Sequence, residues 1–259
     1  MSGYINILRY ELFGLFISPA TYVSTFYFLC LLGIGFRFFL QAFAGTDWVL
    51  PPFSSLILGL TFGAPAIVPF LTMRTFAEER KLGTLETLMS APVSATGLVL
   101  GKWSASLIFF FAISALATCY PLLLWFGFPT QAESLGLTDI EKWIGGGAFL
   151  LAIGSSFTAV GIFASSLTNN QMVAGMLTFT LLTLYLSAMT LAYGEYDHLG
   201  NPSNVKEFFQ TCLGSISQGL TKAQHFAVGV IDLQTLLHQV VLTFLFLSLA
   251  ILKIERYHH

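Results

Sequence analysis

Charged side chains are scarce in this chain: Asp, Glu, Lys and Arg make up 9% of its 259 residues, where soluble domains carry about a quarter. With 55% hydrophobic residues, that shortage excludes a water-soluble fold of this size. A net charge of −2 leaves no basic surface for nucleic acid, and no stretch interleaves Lys/Arg with aromatic residues as such surfaces do. Cysteine is equally thin. Cys30, Cys119 and Cys212 stand apart, with neither a metal-ligand spacing nor a disulfide framework, and two of them lie in apolar runs.

What the chain does have is long apolar runs and 26 Phe, a composition suited to lipid-facing helices. A membrane span needs about 20 mostly apolar residues. Six stretches serve: about 20–42, 53–73, 103–127, 147–167, 172–193 and 236–253. The last is the shortest and opens with His238 and Gln239. No Asp or Glu falls inside any of the six, which removes the facing carboxylates of an intramembrane hydrolase and the relay of a proton-driven carrier. His198, His225 and His238 show no metal pattern, and structural or capping roles suit them. Pro65, Pro69 and Pro121 are expected to kink the second and third spans.

Six spans put both termini on one side. With the N-terminus inside, Arg9, Arg74, Arg80, Lys81, Lys102, Lys253 and Arg256 are inner, seven in all, against Lys142, Lys206 and Lys222 outside. That asymmetry places both termini in the cytoplasm. Arg37 lies in the first span roughly 9 Å from its outer end. It reads either as a cation snorkelling to the headgroups or as a residue on a transport path.

Residues 2–17 set Ile5, Leu8, Leu12, Leu15 and Phe16 at helical spacing, which predicts an interfacial helix before the first span. Ser18-Pro19 then reads as an N-cap followed by proline at the first helical position. Residues 194–235 carry apolar patches broken by Gly214, Gly219 and Gly229. They predict a short helical hairpin dipping into the outer leaflet and packed on the bundle.

Charge concentrates in one place. The segment from Arg74 to Ser94 holds three of the eleven Lys/Arg and three of the thirteen Asp/Glu. Arg74 to Lys81 continues the second span as a helical stub, Gly83 stops it, and Thr84 caps a new short helix with Glu86 in its first turn. Leu82, Leu85, Leu88 and Met89 fall on one side of that helix, Pro92 closes it, and Ser94 caps the third span. A short helix with one apolar stripe and flanking charge has the geometry of helix-in-groove docking to a partner. A lipid-attracting juxtamembrane loop is the alternative, but Glu78, Glu79 and Glu86 cancel its positive charge.

No nucleotide site accompanies this loop. Gly97-Leu-Val-Leu-Gly-Lys102-Trp103 has three residues where a P-loop needs four between its glycines, and it lacks the Ser/Thr after Lys. Those glycines open the third span. Gly145-Gly-Gly147 reads as a flexible start to the fourth.

The string Phe76-Ala-Glu-Glu-Arg-Lys-Leu-Gly-Thr-Leu-Glu-Thr-Leu-Met-Ser-Ala-Pro-Val-Ser94, followed by Leu100-Gly-Lys102, resembles the signature of ABC-2 type transporter permeases. Gly161 to Gln171, His225 to Leu233 and Ser18-Pro19-Ala-Thr-Tyr22 agree with it, so the likeness covers nearly the whole chain. The small permease subgroup that includes a gliding-motility-associated subunit is the nearest in flavour. The resemblance implies an all-α fold of the type V exporter kind over a single 1–259 domain. Six spans would be joined by an interfacial helix, a coupling loop at 74–102 and an outer re-entrant hairpin. It also implies a non-catalytic subunit in a bacterial inner membrane, paired with a second permease, alike or a sister. A separate ABC ATPase would bind the ATP and Mg. Its docking residues would be Phe76, Glu78, Glu79, Arg80, Gly83, Thr84, Leu85, Glu86, Leu88, Met89 and Pro92. The reading from a different class is a membrane scaffold or channel-like protein whose loop recruits a partner that is not an ATPase.

Overall fold

Each apolar run forms a helix, because a chain in lipid must satisfy its backbone hydrogen bonds internally. The structure is a computed structural model and describes residues 2–45, 52–85, 88, 94–130, 140–192 and 233–258. Its helices are α1 (Ser2–Ile17), α2 (Pro19–Gly45), α3 (Pro52–Thr72), α4 (Ala77–Leu82), α5 (Ala95–Ala117), α6 (Cys119–Gly127), α7 (Ile140–Leu167), α8 (Gln171–Ala192) and α9 (Leu233–His258). No strand occurs among the described residues. The hairpin expected over 194–235 lies outside them, apart from its last three residues, which open α9.

Local signals account for several helix ends. Pro19 stands at the first position of α2. Ser94 is the N-cap of α5, its hydroxyl accepting from Gly97 N at 3.1 Å. Asn170 opens α8, with Oδ1 accepting from Met172 N at 3.0 Å. Pro65 and Pro69 sit inside α3, which runs on through both. Pro121 lacks the N–H that would reach the carbonyl four residues back, at Ala117, and the third apolar run breaks there into α5 and α6 around Thr118. Gly145, Gly146 and Gly147 do not form a flexible lead. They lie within α7, the first two buried.

Among the described residues, five helical stretches are long and apolar enough to cross a membrane: Pro19–Phe38, Ser55–Leu82, Ala95–Gly127, Ile140–Leu167 and Thr235–Arg256. The run expected to be shortest is among them. The apolar part of α8 described, Gln171–Ser187, is the shorter one.

Helix α7 is the centre of the bundle, packed against α3, α5, α8 and α9. One apolar cluster joins Leu60 and Ile67 of α3, Phe110 and Ile113 of α5, Phe149 and Phe157 of α7, and Leu182 of α8. Inside it Gln239 is wholly buried, accepting from Ser156 Oγ at 2.6 Å and donating to Tyr185 OH at 2.8 Å. One amide thus ties α7, α8 and α9, a common way for polar groups to hold membrane helices together. A second cluster lies toward the other end of α9, with Phe76, Leu85, Leu98, Val99, Ile162 and Ile254.

Helix α1 packs along α5. Ile7 lies so close to Gly101 that a Cβ there would be 2.8 Å from Ile7 Cγ2. The inward side of α1 keeps most of the stripe expected of it: Leu8, Leu12 and Leu15 are half-buried, and Phe16, though part-exposed, meets the Phe109 ring edge-on at 5.1 Å, while Ile5 is exposed and Ile7 and Glu11 turn inward as well. Glu11 lies on that same inward side and pairs with Lys102.

Candidate functional site

Beyond α3 the chain turns through Met73–Phe76 and forms the short helix α4, and past Gly83 it is helical again at Thr84, Leu85 and Leu88, the described part of the second short helix expected there. The composition of α4 favours a helix: Glu78 and Glu79 lie in the first turn and Arg80 and Lys81 in the last, each complementing the helix dipole. Gly83 ends α4 with φ 71°, the left-handed conformation that costs glycine least. A Cβ at Gly83 meets nothing within 4 Å, so backbone strain alone sets the cost of replacing it. Gly83→Val is therefore expected to cost about 1–2 kcal/mol and Gly83→Asn clearly less, as measured by thermal unfolding in detergent. Equal losses would mean that this backbone conformation does not matter.

Two ionic links leave this turn. Arg74 forks onto Glu78, Nε to Oε2 at 2.8 Å and Nη2 to Oε1 at 3.3 Å, while its Nη1 donates to Ser18 Oγ at 3.0 Å. With side chains 44% and 32% exposed, that ion pair contributes at most about 1 kcal/mol. The second link is of another kind. Lys102 of α5 is 1% exposed, and its ammonium donates to Glu79 Oε1 at 2.7 Å, to Thr75 O at 2.9 Å and to Glu11 Oε1. Its three N–H bonds are thus all used. The Phe76 ring lies 5.2 Å away, its face adding a cation–π contact. Glu11 belongs to α1, Thr75 to the turn and Glu79 to α4, so one buried cation joins three elements to a fourth.

This arrangement corrects part of the expected docking surface. Glu79 is not exposed beside an apolar stripe. It is turned inward, with its side chain 16% exposed, because Lys102 needs an anion. Phe76 and Leu85 are also closed to a partner, being in the second core cluster at 0% and 1% exposure. Glu78 is engaged by Arg74, and Arg80 and Leu88 are half-buried. Lys81, Leu82, Gly83 and Thr84 form the exposed rim, with Leu82 at 66%. The Thr84 hydroxyl donates back to Glu79 O at 3.3 Å, while Glu86, Met89 and Pro92 lie outside the described residues. Arg37 is exposed on α2, roughly 28 Å along the helix from Ser18.

Sequence reasoning missed Glu11 and Lys102 as a pair. The signal was present, since Glu11 is the one acid among residues 1–45 and Lys102 interrupts an apolar helix. Each needs an opposite charge if buried.

A family model described as ABC-2 family transporter protein matches residues 14–252. The chain belongs to that family. No curated protein matches it significantly. As an ABC-2 family protein the chain is an integral membrane permease of an ABC transporter, a transport component. The matched region contains α4, Glu79 and Lys102 and begins just past Glu11.

Proposed function

We propose that this ABC-2 permease is the six-span subunit of an ATP-driven exporter, with all hydrolysis in a separate ATPase subunit that seats on the Lys81–Thr84 rim. Residues 1–259 form one permease domain, in which α1 lies in the interface and α8 is the fifth span. At 22 residues, α8 reaches about 33 Å, enough to cross. The excess of inner Lys/Arg supports cytoplasmic termini in a bacterial inner membrane. A second permease, alike or a sister, completes the path.

One observation carries the reading: the α4 segment is locked inward by Lys102 and the second core cluster, yet presents an exposed leucine and lysine outward. A segment held this way transmits a push. ATP-driven closure of the ATPase pair would press on the rim, and the Lys102 cluster would carry the displacement into α1 and α5 together.

The rim is the place to test it. Lys81→Glu and Leu82→Asp alter exposed side chains, so thermal stability should hold within about 0.5 kcal/mol. Retention of the ATPase chain on affinity-purified permease should fall at least about tenfold, as for a hot-spot loss. Undiminished retention in both variants would sink the docking assignment, and consistent recovery of a partner without ATPase activity would favour a recruiting scaffold.

A further inference from the structure

The first N–H groups of a helix have no partner within it and are usually capped by a neighbouring side chain. At α4 the N-cap position is Phe76, which has no acceptor and whose ring is buried in the second core cluster. The acceptor comes from elsewhere. Ser165 Oγ, on α7 and fully buried, accepts from Phe76 N and from Ala77 N, each at 3.1 Å. Its hydroxyl donates in turn to Met73 O at 3.3 Å. One side chain 89 positions along the chain thus closes both ends of the turn that leads into α4.

The setting makes this bond directional. One helical turn earlier on the same face of α7, Gly161 meets Thr72, the last residue of α3. Helix α3 therefore arrives on α7 at Gly161 and α4 departs from it at Ser165. Ser166 supplies a contrast: it is buried on the same helix, but its hydroxyl donates to Phe163 O of its own turn at 2.7 Å.

We propose that Ser165 is a positioning residue for the ATPase dock: by capping α4 from α7, it sets the orientation in which the Lys81–Thr84 rim meets the ATPase subunit. The proposal rests on the docking reading above and adds the residue that preorganises it. A partner binding a rim only partly held in its competent orientation binds more weakly by the fraction held.

Two measurements on the full-length permease test it. In lipid nanodiscs, Ser165→Ala should speed hydrogen exchange at the amides of residues 76 and 77 roughly five- to thirtyfold, the range for losing such a cap. Ser166→Ala should leave both amides at the wild-type rate. The ATPase chain that co-purifies with wild-type permease, stripped and re-added, should then bind Ser165→Ala about three- to thirtyfold more weakly and Ser166→Ala as wild type. Unchanged exchange in Ser165→Ala, the same change in Ser166→Ala, or faster exchange with unaltered ATPase affinity would each overturn the proposal. Failure of wild-type permease to retain any ATPase would instead overturn the docking reading and, with it, the role given to the cap, while the exchange result would still establish whether Ser165 orders α4.

Discussion

Lys102→Met should be among the most damaging single substitutions in the permease, lowering stability by about 3–5 kcal/mol. Methionine fills much of the lysine stem's volume, so the loss is electrostatic. Glu11 and Glu79 would face one another without the cation that bonds them both, their side chains only 17% and 16% exposed, and Thr75 O would lose its donor. Removing one partner of a buried ion pair is costly because the other charge stays behind. Here two stay behind. The asymmetry sharpens the test, since the cluster holds one cation and two carboxylates. Glu79→Gln leaves Lys102 paired with Glu11, a neutral couple, and should cost about 1 kcal/mol, near the value of one hydrogen bond. In the Lys102→Met/Glu79→Gln double variant the penalty should partly recover, giving a coupling energy of about 1–3 kcal/mol. Thermal unfolding of the four proteins in one detergent measures all of this. Losses of equal size for Lys102→Met and Glu79→Gln would show that the cluster does not behave as a buried charge site. Because Lys102 joins α1, α4 and α5, the same variant should also fail to retain the ATPase, even where it inserts into the membrane.

How far the sequence could be read depended on how local each signal was. Pro19, Gly83 and Ser94 act on their own few residues, and the structure has helix boundaries at all three. Apolar runs are local too, and every run expected to span is helical where described, apart from the turn residues Met73 and Thr118. The candidate site behaves differently. An apolar stripe at Leu82, Leu85 and Leu88 says that one side of a segment avoids water, but not whether that side faces a partner or its own bundle. Leu85 faces the bundle and Leu82 does not. Glu79 looked exposed because its cation is 23 positions away, and the second anion on that cation lies 91 positions away. Such pairings are decided by how α1 lies on α5, which depends on Gly101 admitting Ile7. No window of a dozen residues contains that information. Glu79, Gly83 and Lys102 all belong to the family signature, but the signature does not say which of its residues turn inward.

Gly161→Ala should have an effect out of proportion to one methyl group. A Cβ at this position would lie 2.8 Å from both Cβ and Cγ2 of Thr72, well inside the 3.5–4.0 Å of ordinary carbon contacts. Thr72 cannot swing away easily, being fully buried with its hydroxyl bonded to Val68 O at 3.0 Å. Helices α3 and α7 must therefore move apart, and overpacking of this kind costs about 1–3 kcal/mol. Gly147 on the same helix gives the control. A Cβ there meets nothing within 4 Å, so Gly147→Ala should be stabilising by up to about 1 kcal/mol through helix propensity alone. Opposite signs at two glycines of α7, measured by thermal unfolding in one detergent, would isolate the α3–α7 crossing as the cause. The crossing also lies one turn from Ser165, so displacing α3 should carry the Met73–Phe76 turn away from its cap. Gly161→Ala is then expected to speed hydrogen exchange at residues 76 and 77 without touching either bond directly, and Thr72→Ala in the same chain should restore part of the protection by removing Cγ2. If Gly161→Ala and Gly147→Ala shift stability in the same direction, the close approach of α3 to α7 does not hold the cytoplasmic turn in place.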